Sequence, residues 1–346
     1  MSSVLNPLLG VDLGFGWLAA IKILAVYAVV PVGALLYVYV FLFKMVSHMQ
    51  SRLGPMEAGP HGVLQAPVEL LKFLQKEDIF PARADRRVFA LAPFVVFMST
   101  FLLFVIIPAG PRLVAEDLDT GVFFALAVSS LSVIGILMAG WASANKYSVT
   151  GGLRAAGQLI AYELPMVLAV VGVVMQAGTM SLQGIVHAQA DGAIFGVDVI
   201  GNPYILTQFL GFLIFAIAAQ AELTQTPFDM PVAESELVAG YLTEYSGVRF
   251  LLFFMAEFAS AFAFAAIGAV LYFGGWYVPG VEGLAADILG PVVMLTKVMI
   301  LGFIIFWVRF TLPRFREDQL QMFAWKYLIP LSLVNILATG IFKVAF

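Results

Sequence analysis

The sequence is organised around residues 221–247, AELTQTPFDMPVAESELVAGYLTEYSG, a net-acidic stretch that lies between two long apolar runs. It contains five of the chain's 22 acidic residues and no lysine or arginine. A carboxylate beside a hydrophobic span is costly unless water or a counter-charge is close. This concentration of acids therefore indicates a functional segment, because a simple linker would not gather them here.

The composition is typical of a polytopic membrane protein. Hydrophobic residues make up 62% of the 346-residue chain and charged residues 12%, compared with roughly 25% charged residues in soluble domains. Cysteine is absent, which excludes thiolate-held iron–sulfur clusters, thiol catalysis and disulfides. The three histidines fall in expected connections, so we expect no bis-histidine haem between spans. The net charge of -4 is unremarkable, and we expect no nucleic-acid partner.

Eight segments are long and apolar enough to cross the bilayer, which requires about 20 residues for about 30 Å of hydrocarbon. We therefore expect an all-α polytopic membrane protein in which residues 1–346 form a single integral domain, with amphipathic helices in the cytoplasmic connections. The predicted spans are approximately 17–43, 88–109, 121–143, 156–178, 204–222, 248–274, 288–311 and 323–345. Residues 1–16 lack a basic region and a small-residue cleavage site, so no removed signal peptide is expected.

The distribution of lysine and arginine predicts the orientation. Most of them lie in the first, third, fifth and seventh connections, which the positive-inside rule places in the cytoplasm. Both termini are therefore predicted on the outer side. The acidic stretch follows the fifth span and is predicted to be cytoplasmic.

The first connection, about residues 44–87, contains a predicted amphipathic helix over 63–77. Glu69 and Lys72 are three residues apart on it and can pair. Such a helix most often lies on the membrane surface. The alternative is that it covers a cavity between the spans.

The other connections give simpler predictions. Residues 144–154 are predicted as a tight turn, 179–203 as a solvated loop, and 309–321 as a lipid-headgroup anchor. In the acidic stretch, Asp229 followed by Pro231 predicts a helix over 230–245 that is capped by Asp229 and stops at residues 246–247.

Three ionisable residues lie inside predicted spans: Glu163, Glu257 and Lys297. A charge at the centre of a membrane helix costs at least about 2.5 kcal/mol, and such residues are functional by default. Several acids in one protein suggest a proton relay, which Tyr162 could extend. The alternatives are a neutralising Glu–Lys pair or a carboxyl kept protonated by burial.

Motifs spread along the chain resemble those of one family, subunit 1 (the H subunit in bacteria) of respiratory complex I, the proton-pumping NADH:quinone oxidoreductase. The motifs occur in the expected order. They are Arg52-Leu-Gly-Pro55, Gly62-Val-Leu-Gln65, Lys76-Glu77, residues 140–147 with 151–155, Tyr162-Glu-Leu-Pro165, residues 222–247 and residues 312–320.

The resemblance implies an eight-helix subunit where the membrane arm meets the peripheral arm. Such a subunit encloses much of the chamber through which quinone enters and begins an acidic path towards the antiporter-like subunits. By motif, the quinone-chamber residues are Arg52, Glu69, Lys72, Asp229 and Arg309. The residues of the proton path are Glu163, Glu222, Glu234, Glu236 and Glu257.

The resemblance also implies cofactors, partners and location. This chain would bind no cofactor, quinone would be the substrate, and FMN and iron–sulfur clusters would lie in partner subunits. The partners would be the quinone-site and iron–sulfur subunits of the peripheral arm, the small and antiporter-like membrane subunits, and lipid. The location would be the bacterial inner (plasma) membrane.

Four residues depart from the family's pattern. Gln225 and Val232 stand where an arginine and a glutamate are usual, Glu69 replaces an aspartate, and Glu317 replaces a tyrosine. The junction therefore has one base and one acid fewer than the pattern.

Other functions remain as alternatives. They are a membrane subunit of an energy-converting hydrogenase or ferredoxin-dependent complex, a stand-alone transporter, and a structural anchor. Transporters usually show paired halves with broken helices, which the sequence does not indicate. An anchor gives no reason for intramembrane acids.

Overall fold

The computed structural model describes residues 15–192, 201–281 and 283–345. Regular structure in these ranges is helical throughout. The first helix, α1, comprises Phe15–Tyr37, a π-helical stretch Val38–Met45 and the turn Val46–Met49. The remaining helices are α2 Gln65–Gln75, α3 Arg86–Ile106, α4 Gly121–Ala142, α5 Lys146–Ala177, α6 Leu182–Ala190, α7 Phe209–Glu222, α8 Glu234–Leu237, α9 Gly247–Phe273, α10 Leu284–Thr311 and α11 Glu317–Ala345.

Seven of the described helices are long and apolar enough to cross a membrane: α1, α3, α4, α5, α9, α10 and α11. The predicted fifth span is represented by α7, which has only 14 residues. At 1.5 Å per residue α7 covers about 21 Å, less than the hydrocarbon thickness. The prediction of an all-α polytopic membrane protein is confirmed, with a fifth apolar helix shorter than expected.

Helix α9 lies at the centre of the bundle and packs against α1, α3 and α10. Its buried face is rich in alanine, including Ala256, Ala259 and Ala263. Small side chains allow helix backbones to approach closely, which matters in a bilayer because lipid tails are as apolar as the protein core. Helices α10 and α11 are the least buried of the long helices and form the periphery.

Helix α5 begins earlier than predicted. Its first residue is Lys146, and the Asn145 side chain accepts a hydrogen bond from the Tyr147 amide at 2.9 Å, which caps the helix. The tight turn predicted over 144–154 is therefore wrong. Gly151 does not break the helix but lets another segment approach, because a Cβ there would lie 2.7 Å from the Pro231 carbonyl oxygen.

The solvated loop predicted over 179–203 is also wrong in its first half. Ser181 caps α6 by accepting a hydrogen bond from the Gly184 amide at 3.0 Å. Helix α6 buries Leu182, Ile185 and Val186 and packs against α9. Residues 193–200 of this prediction lie outside the described residues.

Candidate functional site

The acidic stretch folds as a broken segment, and the predicted helix over 230–245 is wrong. It contains only α8 and a single 3₁₀ turn, Gly240–Leu242. Ala233 and Val238 flank α8 with φ of 36° and 65°, and residues in this left-handed region interrupt a right-handed helix. Gly240 has φ of 54° and lies against Pro231. A Cβ added to Gly240 would be only 1.7 Å from the carbonyl oxygen of Pro231.

Two details of that prediction are corrected with it. The Asp229 carboxylate does not cap a helix at residue 230, and the Ala233 backbone amide lies close enough to favour its charged form. Gly247 does not end a helix, because it is the first residue of α9. The stretch therefore returns the chain from α7 to α9 along the predicted cytoplasmic end of the bundle.

A polar cluster joins this segment to two spans. Arg309 of α10 donates a hydrogen bond to the Gln225 amide oxygen, and its guanidinium lies 3.5 Å from the Glu257 carboxylate of α9. Gln225 donates in turn to the same Glu257 oxygen at 2.7 Å. The side chains of Arg309 and Glu257 are only 26% and 29% exposed. Gln225 thus bridges an acid and a base from neighbouring helices, at the position where the family pattern has an arginine.

Asp229 lies beside this cluster. Burial and the nearby Glu257 carboxylate raise the pKa of Asp229 to about 6, against the opposing effects of Arg314, Arg309 and the Ala233 amide. A carboxyl with this pKa changes charge just below neutral pH. Asp229 and Arg309, predicted from sequence as chamber residues, are therefore brought together with Glu257, which was predicted for the proton path.

A second cluster lies on the predicted cytoplasmic surface. Arg154 of α5 binds the Glu236 carboxylate at 2.6 Å and the Glu317 carboxylate at 3.4 Å. Arg314 lies 3.7 Å from the same Glu236 and donates to the Ser235 hydroxyl at 2.6 Å. The hydrogen bond from Arg154 holds the pKa of Glu236 below its usual value. Glu317, which departs from the family's tyrosine, contributes a carboxylate to this network.

This network changes the interpretation of two basic segments. From the sequence, Arg154 is expected only as a topology signal and residues 309–321 as a lipid anchor. Arg154, Arg309 and Arg314 each contact the acidic stretch. Arg154 also reaches Glu317, Arg309 also reaches Glu257 of α9, and Arg316 pairs with Asp318 beside it. The sequence did contain a signal, because the acidic stretch has no base of its own and the connections at residues 144–154 and 309–321 do. Spacing alone could not identify which acid each base would contact. Glu234 is exposed on α8 and does not join the network.

A third cluster lies between α5 and α7. Glu163 is in the middle of α5 and Glu222 is the last residue of α7. Their carboxyl groups are close enough to repel each other. Glu222 Oε2 is buried and accepts no hydrogen bond from the described residues. Tyr162, beside Glu163, is buried and donates its hydroxyl to the Leu320 carbonyl at 3.0 Å, which ties α5 to α11.

Of the remaining chamber residues, Glu69 and Lys72 lie on α2, and Arg52 lies in the segment that precedes it. This helix covers a narrow crevice lined by apolar residues of α1 and α9, and Glu69 is the charged residue in that lining. Glu69 accepts from Gln65 at 3.2 Å and not from Lys72, whose ammonium lies 5.1 Å from the Phe73 ring centroid. Arg52 is exposed and bonds Gln50 at 2.8 Å. The position of α2 over a crevice agrees with the interpretation of α2 as a cavity cover, and its placement relative to the membrane surface stays a prediction.

Lys297 makes no ion pair with an acid in the part of the chain that the structure describes. Its ammonium donates to the carbonyls of Phe273 and Gly275 at 2.8 and 2.6 Å, where α9 ends. A cation at a helix C-terminus satisfies free carbonyls and the helix dipole. The alternative of a neutralising pair between Lys297 and either of the other two intramembrane residues, Glu163 or Glu257, is therefore wrong, and the contacts of Lys297 close α9.

Comparisons with known proteins cover almost all of the chain. A family model described as NADH dehydrogenase matches residues 21–340. The H subunit of NADH-quinone oxidoreductase from Brevibacillus brevis is 44% identical over 324 residues, 94% of this chain and 92% of its own. Proteins of the same name from Dehalococcoides mccartyi and Geobacillus kaustophilus are also 44% identical, over 92% and 91% of this chain and 86% and 93% of theirs.

Proposed function

As the chain belongs to the family of NADH-quinone oxidoreductase H subunits, which are membrane subunits of complex I, we propose that it admits quinone from the bilayer and couples its reduction to a path of buried acids. This membership does not favour the alternatives of a hydrogenase component or a stand-alone transporter. The family match covers residues 21–340, so the chamber and the acids all lie within it.

The chamber is proposed to run from the crevice beneath α2 towards the polar cluster. A quinone has an apolar tail that stays in the bilayer and a polar headgroup that must reach a redox centre in a water-soluble partner. The crevice supports this route because its walls are apolar side chains of α1 and α9 and it contains the Glu69 carboxyl. Lys72 on α2 and Arg52 in the segment before it are both exposed, and they are proposed to border the chamber against the peripheral arm.

The observation that carries the proposal is the Arg309–Gln225–Glu257 cluster with Asp229 beside it. Reduction of a quinone to a quinol takes up two protons, which changes the charge in the chamber. Asp229, with a pKa of about 6, responds to such a change by gaining or losing a proton. Glu257 is electrostatically linked to Asp229 and lies inside a span, so it carries the response into the membrane.

The path is proposed to continue through Glu222 and Glu163, the second pair of neighbouring acids. Glu236 and Glu234, on α8, are proposed to connect the junction to the peripheral arm, Glu236 through its pairing with Arg154. These assignments keep the acids expected from sequence and divide them into three groups. Glu163 and Glu222 form one pair, Glu257 belongs to the polar cluster with Asp229, and Glu234 and Glu236 lie on α8.

The partners follow from the same proposal. FMN and iron–sulfur clusters in peripheral-arm subunits would carry electrons from NADH to the quinone. The small and antiporter-like membrane subunits would receive the path, and lipid would surround the free faces. We propose the bacterial plasma membrane as the location, with both termini on its outer side.

A photoreactive quinone tests the chamber. In intact complex, light should attach the probe to peptides from α2 or from the facing part of α9, and excess unlabelled quinone should prevent the attachment. Labelling of this chain confined to the outer ends of α5 and α11 would contradict the proposal.

A further inference from the structure

The feature that the proposed function leaves unexplained is Gln158, a glutamine on α5 that is only 1% exposed. Its amide nitrogen donates to the Ala221 carbonyl at 2.7 Å. If the amide were turned over, its oxygen would face that carbonyl oxygen and repel it, so this hydrogen bond fixes the orientation. The amide oxygen of Gln158 must therefore find a donor elsewhere.

Two buried acceptors lie in this region without a donor among the described residues: Gln158 Oε1 and Glu222 Oε2. Glu222 follows Ala221, the residue that Gln158 holds. Buried polar atoms in proteins are almost always hydrogen-bonded. Two acceptors cannot bond each other, but a carboxyl becomes a donor when it is protonated. A proton on Glu222 is therefore one way to supply the donor that both oxygens lack.

The neighbouring acid supplies a reason for that proton to be present. Glu163 lies five residues after Gln158 on the same helix and repels the Glu222 carboxylate. Two close carboxyls in a site of low polarity do not both ionise readily, and they share a proton. Tyr162, the titratable residue next to Glu163, already donates its hydroxyl to the Leu320 carbonyl. Gln158 Oε1, by contrast, is a buried acceptor that has no donor among the described residues.

We propose that Gln158 is a positioning residue for this acid pair: its amide oxygen accepts a hydrogen bond from the protonated Glu222 carboxyl, directly or through one water. This favours the state in which Glu222 is neutral and Glu163 is ionised. When the proton moves to Glu163, Glu222 becomes the carboxylate and Gln158 loses its donor. The pair carries one proton and one negative charge before and after the transfer.

This inference rests on the proposed acid path and adds the residue that biases it. Replacing Gln158 by leucine keeps a similar volume and removes the acceptor. The assay is NADH:quinone reductase activity of the intact complex from pH 5 to 9, divided by the amount of assembled complex. We expect Gln158→Leu to lower this activity about fivefold at neutral pH, the effect of one hydrogen bond. The alkaline limb of the profile should move to lower pH because neutral Glu222 has lost its acceptor.

A matched control is Gln189, a second glutamine that is 1% exposed. Its amide is satisfied on both sides, donating to the Val270 carbonyl at 2.8 Å and accepting from the Tyr204 amide at 3.1 Å. Gln189→Leu should keep the wild-type profile per assembled complex, even if less complex assembles. Gln158→Met, which retains length without the amide oxygen, repeats the test if the leucine variant assembles poorly.

Glu222→Gln separates the two possible failures. Wild-type activity and pH profile in Gln158→Leu and Gln158→Met, together with an impaired Glu222→Gln, would overturn this inference and leave the acid path in place. Wild-type behaviour in Glu222→Gln and Glu163→Gln as well would overturn both the path and the role of Gln158.

Discussion

Replacing Gln225 is expected to open the cluster that connects the spans to the acidic stretch. Gln225 is 2% exposed, and it bonds both Arg309 and Glu257. A hydrogen bond to a charged group contributes about 1.5–3 kcal/mol. Water can reach Arg309 and Glu257, which are 26% and 29% exposed, and it recovers part of the loss. We therefore expect Gln225→Leu to disfavour the closed cluster by about 2 kcal/mol, or about thirtyfold in its population.

The assay compares two activities in membrane vesicles. NADH:quinone reductase activity per assembled complex should fall at least tenfold, because it requires the cluster. Electron transfer from NADH to a hydrophilic acceptor should not change, because it bypasses the membrane arm. Quinone reductase activity above half of the wild-type value would refute the bridging role of Gln225.

The informative second variant is Gln225→Arg, which restores the residue that the family pattern has here. An added positive charge should lower the pKa of Asp229, whose value of about 6 reflects burial and the nearby Glu257 carboxylate. Any limb of the activity profile near pH 6 should therefore move to lower pH. A limb that moved to higher pH would contradict the electrostatics described for this cluster.

Three further outcomes follow from the same contacts. The pKa of Asp229 is raised to about 6 in the folded protein, so this residue contributes stability that is present below its usual pKa and is lost as the pH rises to about 6. Asp229→Asn should therefore make the melting temperature of the complex less dependent on pH between about pH 4 and 6. An unchanged pH dependence would reject the raised pKa. Lys297→Met removes two hydrogen bonds that close α9, so it should destabilise the fold by about 2 kcal/mol and reduce the amount of assembled complex. Lys326→Met, which changes an exposed lysine, should not reduce it. Equal amounts of assembled complex in the two variants would reject the capping role of Lys297. An alkaline phosphatase fusion after residue 345 should be active and one at residue 150 inactive, and the reverse pattern would overturn the predicted orientation.

Span positions were predictable because apolar length is a direct physical requirement of the bilayer. The all-α architecture and most long helices follow from it, and so does α2, whose amphipathic pattern was visible. Helix starts were less predictable: Gly151 looks like a breaker, but in the fold it is a point of close approach to Pro231. The acidic stretch breaks at Ala233 and Val238, where it packs closely against α5 through Gly151, and local propensity contains no information on such packing.

The candidate site was predictable in its membership more than in its grouping. The cost of burying a charge identified Glu163 and Glu257, and the motifs added Glu222, Asp229 and Arg309. The partners depended on which helices meet, so sequence did not reveal that Gln225 joins Arg309 to Glu257 or that Lys297 closes α9. Arg52, Lys72 and Glu234 are exposed in the isolated chain, and their roles remain predictions that concern the assembled complex.

The measurement that tests the central claim most directly is proton translocation per NADH oxidised in proteoliposomes containing the complex. Glutamine retains the volume of glutamate without its titratable proton, so Glu163→Gln and Glu257→Gln should assemble and show strongly reduced turnover and translocation. Asp119→Asn changes an exposed acid that belongs to none of the three clusters, and it should behave as wild type. Wild-type turnover and translocation in both glutamine variants would contradict the role of these acids as the start of the coupling path.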